Sequence, residues 1–236
     1  MTRIATAFIV ALLVVAGAVA RQPDADDILA RLQHSFDALE DYRVTVVAEI
    51  DMVRMRVPRM KATLYFKQPD KIHFESETFA MLPRDGVGFN PLVYTKNYTG
   101  QVAGIDTVDG VQTTKVFLRQ KNESVRIREL TIWVDTRRWT VVKMESIPSQ
   151  GRQIRMTMEY TKVEDTWWLP VKTLVTLDFS QPAGEEQQSR DNESHSPMGR
   201  SRLPRKGTVT VIYSDYRVNQ HLPDAMFEKK NPEKAE

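Results

Sequence analysis

From Tyr42 onward the chain alternates apolar and polar side chains at period two, and this rhythm restricts the fold more than any other feature. Val44, Val46, Ala48, Ile50 and Met52 share one face. The phase then slips and Val53, Met55 and Val57 take over, which predicts a bulge or a tight bend. Met60, Ala62, Leu64 and Phe66 alternate with Lys61, Thr63, Tyr65 and Lys67, and similar runs cover 72–79, 113–119, 125–134, 140–147, 154–160, 169–179 and 209–218. Turn-like tripeptides separate several of them: Gln68-Pro69-Asp70, Val108-Asp109-Gly110, Asp135-Thr136-Arg137, Ser149-Gln150-Gly151 and Glu164-Asp165-Thr166. Nine or ten strands joined by short connections imply an antiparallel meander, with one face wet and the other buried.

One helix precedes the strands. Ile28, Leu29, Leu32, Phe36 and Leu39 form an apolar stripe at helical spacing between Asp24 and Asp41. Asp24, Asp26 and Asp27 crowd its start, where the helix dipole favours negative charge, so a helix of about fourteen residues is expected. Upstream, Met1-Thr2-Arg3 and the apolar run 4–20, ending Ala18-Val19-Ala20, have the pattern of a cleavable secretory signal over 1–20. Residues 21–236 then form a single exported domain, and a bacterial periplasm fits best. Two segments break the rhythm. Residues 80–97 are apolar without either period and read as an excursion or short helix covering the sheet. Residues 181–206 contain only Ala183, Met198 and Leu203 as apolar side chains and read as a mobile loop between two strands, while 228–236 is a polar tail.

Composition removes whole classes of chemistry. The 236 residues include no cysteine, so there is no disulfide, thiol nucleophile or thiolate metal site. Lys and Arg number 33 against 31 Asp and Glu, a balance that argues against nucleic acid as a partner. The histidines, His34, His73, His195 and His221, stand in no metal-ligand pattern, so no metal and no cofactor are expected. No nucleophile elbow or phosphate-cradling glycine loop occurs. Glu75 and Glu77 share a strand face but have no partnering motif, and a solvated face explains them. The chain reads as a non-enzyme and as a monomer.

Soft apolar side chains are plentiful instead: Met52, Met55, Met60, Met144, Met156 and Met158 all fall on strands. Methionine adapts to exchangeable apolar partners, although the same residues can simply fill a core. A twisted sheet of this many strands curls, and one helix and one excursion are few elements to cover its concave side. An incompletely filled concave side would hold an acyl chain, with a dozen methylenes worth roughly 10 kcal/mol gross at about 0.8 each.

The order of features resembles the periplasmic lipoprotein carrier LolA and the outer membrane lipoprotein-sorting proteins. The helix closes with Leu39-Glu40-Asp41-Tyr42, and the next strand pair contains Tyr65-Phe66-Lys67-Gln68-Pro69-Asp70-Lys71-Ile72-His73-Phe74-Glu75. Gly104-Ile105-Asp106-Thr107-Val108-Asp109-Gly110, Ile132-Trp133-Val134-Asp135 and Asp215-Tyr216-Arg217-Val218-Asn219, followed by Leu222-Pro223-Asp224-Ala225-Met226-Phe227, complete the series. The resemblance implies a mainly β (α+β) fold: an unclosed antiparallel β-barrel with a helical or loop lid over an apolar cavity. It implies a carrier that moves lipid or lipoprotein acyl chains from an inner-membrane donor to an outer-membrane acceptor. Arg43, Arg54 and Arg56 are the candidates for a lid-latching arginine. The cavity is expected to be lined by Val44, Val46, Ile50, Met52, Leu64, Phe66, Phe74, Met156 and Met158. Its lid is expected from Leu32, Phe36, Phe79, Met81 and Leu82. The alternative is an envelope sensor that binds lipid or lipoprotein and docks on a membrane partner; the short tail after Phe227 makes it the lesser expectation.

Overall fold

The computed structural model describes residues 24–52, 55–56, 58–76, 96–121, 128–146, 153–178 and 206–228. The signal at 1–20, nearly all of the 80–97 excursion, the loop 181–205 and the tail beyond Glu228 lie outside the described residues.

Asp24 caps the helix α1 (Ala25–His34): its Oδ1 accepts the Ala25 N–H at 2.6 Å, and Asp26 and Asp27 sit in the first turn. The helix has ten residues, not about fourteen. Ser35 closes it, its Oγ donating to the Leu32 carbonyl at 2.7 Å, and the chain continues in turns in which the Leu39 N–H reaches the Phe36 carbonyl. Phe36 and Leu39 are nonetheless buried, so the apolar stripe outlasts the helix that it suggested.

The strands, in chain order, are β1 (Asp41–Met52), β2 (Met55–Arg56), β3 (Met60–Lys67), β4 (Lys71–Glu75), β5 (Tyr98–Val108) and β6 (Val111–Gln120). They continue with β7 (Glu129–Asp135), β8 (Thr140–Ser146), β9 (Gln153–Val163), β10 (Trp167–Asp178) and β11 (Lys206–Val218), before a 3-10 turn at Asp224–Phe227. All pair antiparallel in the order β4-β3-β1-β11-β10-β9-β8-β7-β6-β5, with β2 folded back on the end of β1. The phase slip after Met52 is thus a tight reversal, Met52 facing Met55. Among the described residues the sheet is unclosed, with β4 and β5 as its two free edges.

Periodicity did not single out β5. Gly100 and Gly104 interrupt its apolar alternation, and at Gly104 (φ 125°) the register against β6 shifts by one residue. Lys206, expected in the loop, begins β11 opposite Asp178. The two-residue reversal at Asp109-Gly110 and the first two residues of the three-residue connection Glu164-Asp165-Thr166 have positive φ, the mirror-image turn that suits the right-handed twist of hairpins.

Inner-facing side chains from β1, β3, β6, β7, β8, β9, β10 and β11 merge with α1 into one core, which requires the sheet to curl around the helix. At one end of α1 Gly100 allows close approach: a Cβ there would stand 2.9 Å from the Ala25 Cβ and 3.4 Å from Leu29 Cδ1. Beyond its other end, Gln68 Nε2 in the β3–β4 turn donates to the Phe36 and Leu39 carbonyls at 2.6 and 2.8 Å. The helical segment therefore bridges from the β5 edge to the side that bears the β4 edge.

Candidate functional site

Antiparallel register carries one face across the whole sheet. Starting at Ile50, directly opposed partners run Val209, Val175, Met156, Met144, Ile132, Val116 and Val102, eight apolar residues from β1 to β5 without a charge. The neighbouring rung begins Met52, Gly207, Leu177, Ile154. Gly207 leaves room there for Met52, whose Cγ would lie 2.6 Å from an added Cβ.

All nine residues expected to line a cavity fall on this inner face. Val44 opposes Leu64, which opposes Phe74; Phe66 opposes Tyr42; Met158 opposes Thr173, itself opposite Val211 and Ala48 in turn. They divide by cover. Val44, Val46, Leu64, Phe66, Met156 and Met158 are buried in the core, whereas Ile50, Met52 and Phe74 are half-buried. Leu32 and Phe36, from the expected lid, are buried in the same cluster. Phe79, Met81 and Leu82 lie outside the described residues. Ile154 and Leu177, which the sequence reading did not select, share the half-buried rung with Met52. The alternation that marked Met156 and Met158 extends to Ile154, and continuing that count would have found it.

The opposite face is charged. Directly paired or neighbouring residues form ion pairs across it: Arg119–Glu129 at 2.9 Å, Arg155–Glu145 at 2.6 Å, Lys172–Glu159 at 2.8 Å and Lys206–Asp178 at 3.1 Å. Burial works against the Glu145 charge, yet hydrogen bonds from Lys143 and Arg155 prevail and hold its carboxyl below the ordinary range. A membrane-spanning barrel presents an apolar outer band, whereas this ladder puts charge outside and the apolar side chains inside. Among the described residues no helix is long and apolar enough to cross a membrane. Arg43 belongs to this outer face and is exposed, so it does not reach a lid from within; Arg54 and the Arg56 side chain lie outside the described residues.

The resemblance motifs occupy joints rather than the apolar face. Trp133 Nε1 donates to Asp106 Oδ2 at 2.8 Å, fastening the β5–β6 hairpin to β7; that hydrogen bond is the chief cause holding the Asp106 carboxyl below its ordinary range. Asp41, buried, accepts the Gln220 and Leu222 N–H groups at 2.7 and 2.9 Å. Asn219, at φ 50°, accepts from Glu40 N and donates to the Ala38 carbonyl. Asp224 bridges Lys67 and Lys71 at 2.6 and 3.0 Å. These contacts clasp the end of the sheet where β1 begins and β11 ends. Glu75 accepts from the Tyr65 hydroxyl at 2.8 Å on the outer face, while Glu77 lies outside the described residues. Among the described residues no three His, Asp or Glu side chains gather as a metal site.

No family model and no curated protein matches the chain. Solved structures do. A DUF1329 family protein from Desulfovibrio piger superposes with a TM-score of 0.59 at 13% identity, covering 86% of this chain and 95% of its own. A LolA superfamily protein from Nitrosomonas europaea gives 0.54 at 13% identity over 88% and 99%. A putative outer membrane lipoprotein-sorting protein domain from Vibrio parahaemolyticus gives 0.56 at 12% identity over 86% and 96%. With its antiparallel open barrel, its N-terminal helix laid across the inner face and these neighbours, the chain has the LolA-like fold.

Proposed function

We propose that this protein is a periplasmic carrier that holds a lipid, or the acyl chains of a lipoprotein, against the inner face of its open barrel. The observation that supports this most is the half-buried apolar end of the inner face, Ile50, Met52, Leu177 and Ile154, at the head of an apolar rung that runs on through the core to Val102. Hydrocarbon placed there is removed from water at about 0.8 kcal/mol per methylene, which needs no catalytic group. Val44, Val46, Ile50, Met52, Leu64, Phe66, Phe74, Met156 and Met158 form the wall in this reading. Leu32 and Phe36, with Phe79, Met81 and Leu82, form the cover. The leader at 1–20 exports one domain, and the cargo passes from an inner-membrane donor to an outer-membrane acceptor. Similarity of fold to a protein described as lipoprotein-sorting favours this cargo.

The test is native mass spectrometry of protein released gently from the periplasm of a diderm host. A mass increment that dissociates as a lipid is expected. Repeated preparations at the bare polypeptide mass would remove the reading.

A further inference from the structure

Cross-strand ion pairs tie the outer face together, but Arg43 of β1 and Arg217 of β11 break that pattern. They are direct partners in the antiparallel register, and both are exposed. Like charges directly opposed on a sheet repel and destabilise it. Among the described residues neither guanidinium has a carboxylate within ion-pair reach. The acids beside them are engaged elsewhere: Asp215 Oδ2 accepts from the Ser214 hydroxyl at 3.0 Å, and Glu75 accepts from Tyr65, which itself opposes Arg43. A second opposed pair on the same outer face shows how such a conflict is settled. Lys67, two residues beyond Tyr65, faces Lys71 across the β3–β4 turn, and Asp224 reaches both from the 3-10 turn, at 2.6 and 3.0 Å. Among the described residues the chain supplies a carboxylate to the lysines and none to the arginines. A guanidinium's planar fork is made for that group and holds it bidentate. Beside the arginines, Thr45 and Thr63 oppose one another, half-buried, and add hydroxyls to the same outer face.

We infer that the outer surface at Arg43 and Arg217 docks a partner protein through an acidic side chain, whose carboxylate takes between the two guanidiniums the place that Asp224 takes between the two lysines. The occupant is a protein rather than a lipid surface because Asp215 and Glu75 flank the pair. A plane of anionic headgroups would face those carboxylates as well, whereas a single Asp or Glu side chain need not. The site lies at the clasped end, on the opposite face of the sheet from the proposed guest, so a partner bound there leaves Ile50, Met52, Ile154 and Leu177 uncovered. The inference goes beyond the carrier reading and stands or falls separately from it.

The test is NMR titration of the isotope-labelled exported protein with an end-blocked tetraglutamate peptide and its tetraglutamine counterpart; phosphatidylglycerol vesicles form a third arm, read by co-sedimentation. Tetraglutamate should move the Arg43 and Arg217 Nε–H resonances and the Thr45 and Thr63 amides, and tetraglutamine should not. Arg43→Gln and Arg217→Gln should each weaken tetraglutamate about fivefold, the factor for losing one exposed ion pair. Arg119→Gln, whose native side chain already pairs with Glu129, should leave binding unchanged. Arg217→Glu gives Arg43 an internal partner, so it should raise the urea midpoint and abolish the tetraglutamate shifts. Shifts spread over other basic residues, or binding unaffected by Arg43→Gln and Arg217→Gln, would overturn the site. Vesicle sedimentation that depends on both arginines, without tetraglutamate binding, would overturn the protein partner in favour of a lipid surface. A urea midpoint of Arg217→Glu at or below wild type would overturn the premise that the pair lacks a counter-charge.

Discussion

The same alternating strands build both ends of the barrel, but the two ends are finished by different chemistry. Where β1 starts and β11 stops, Asp41, Gln68 and Asn219 hold the backbone of two connections by hydrogen bonds, and Tyr42, Phe66 and Tyr216 pack as a group of rings. Where β1 stops and β11 starts, the inner face ends in Ile50, Met52, Ile154 and Leu177, half-buried apolar groups beside which the Ser146 hydroxyl accepts the Ile154 N–H at 2.9 Å. A directional, satisfied network fixes one conformation, whereas soft apolar contacts can exchange partners at little cost. The clasped end thus accounts for stability, and in the proposed carrier the other end is where a guest enters.

Removing the carboxylate of Asp41 should produce the largest effect. Asp41→Ala leaves two backbone donors at a buried site unmatched and should cost about 3 kcal/mol in urea denaturation. A cost below about 1 kcal/mol would mean that this end is not what holds the fold. Next comes Gly100→Val, whose added atoms collide with Ala25 and Leu29 and must lift α1 from β5. A loss of about 2 kcal/mol is expected, together with faster exchange of amide hydrogens in α1. At the other end, Met52→Ala and Leu177→Ala remove half-buried groups, so each should cost under about 1.5 kcal/mol of stability while weakening diphenylhexatriene binding several-fold. If either matched Asp41→Ala in stability and left binding intact, the two ends would not differ as described.

Acid supplies a subtler probe. Hydrogen bonds from Lys67 and then Lys71 hold the Asp224 carboxyl below its ordinary value of 3.8. Because the folded value is the lower one, this contact contributes fully above 3.8 and is lost as pH falls through the folded value. Phe227 and the 3-10 turn should therefore loosen only below about pH 4, seen as a shift of the Phe227 ring resonances, and Asp224→Asn should remove that step. The smallest effect belongs to the outer ladder: Arg119→Ala should change stability by less than about 1 kcal/mol, since its pair with Glu129 is exposed.

Much of this architecture was legible because period two reports burial directly. Val44, Val46 and Ala48 face inward as their spacing requires, and Ile50 shares that face with less cover. Burial and backbone conformation part company at Phe36 and Leu39, which stay apolar and covered after the helix has ended at Ser35. That is why the stripe overstated the helix. In β5 the reverse holds: Gly100 and Gly104 serve close packing and a register shift, so a real strand carries a diluted signal. Alternation could assign Phe66 and Met52 to one face but not their cover, because cover depends on α1, whose placement arises from Gly100 and Gln68 far away in sequence. This also redirects mutagenesis: Phe66 and Met156 are core residues, so a charge there would unfold the chain before reporting on a guest. The family-like motifs were legible as letters only. Their function as joints, Trp133 to Asp106 and Asp41 to the chain after Asn219, required distances.

The central claim is that a hydrocarbon guest lies on the inner face. It is tested most directly by photolabelling with a palmitate that carries a diazirine near its methyl end, followed by peptide mapping. The account predicts adducts on inner-face residues of the open rungs, Ile50, Met52, Ile154 and Leu177. Adducts concentrated instead on Ile105 or Ile212, the exposed apolar residues of the described surface, would contradict it.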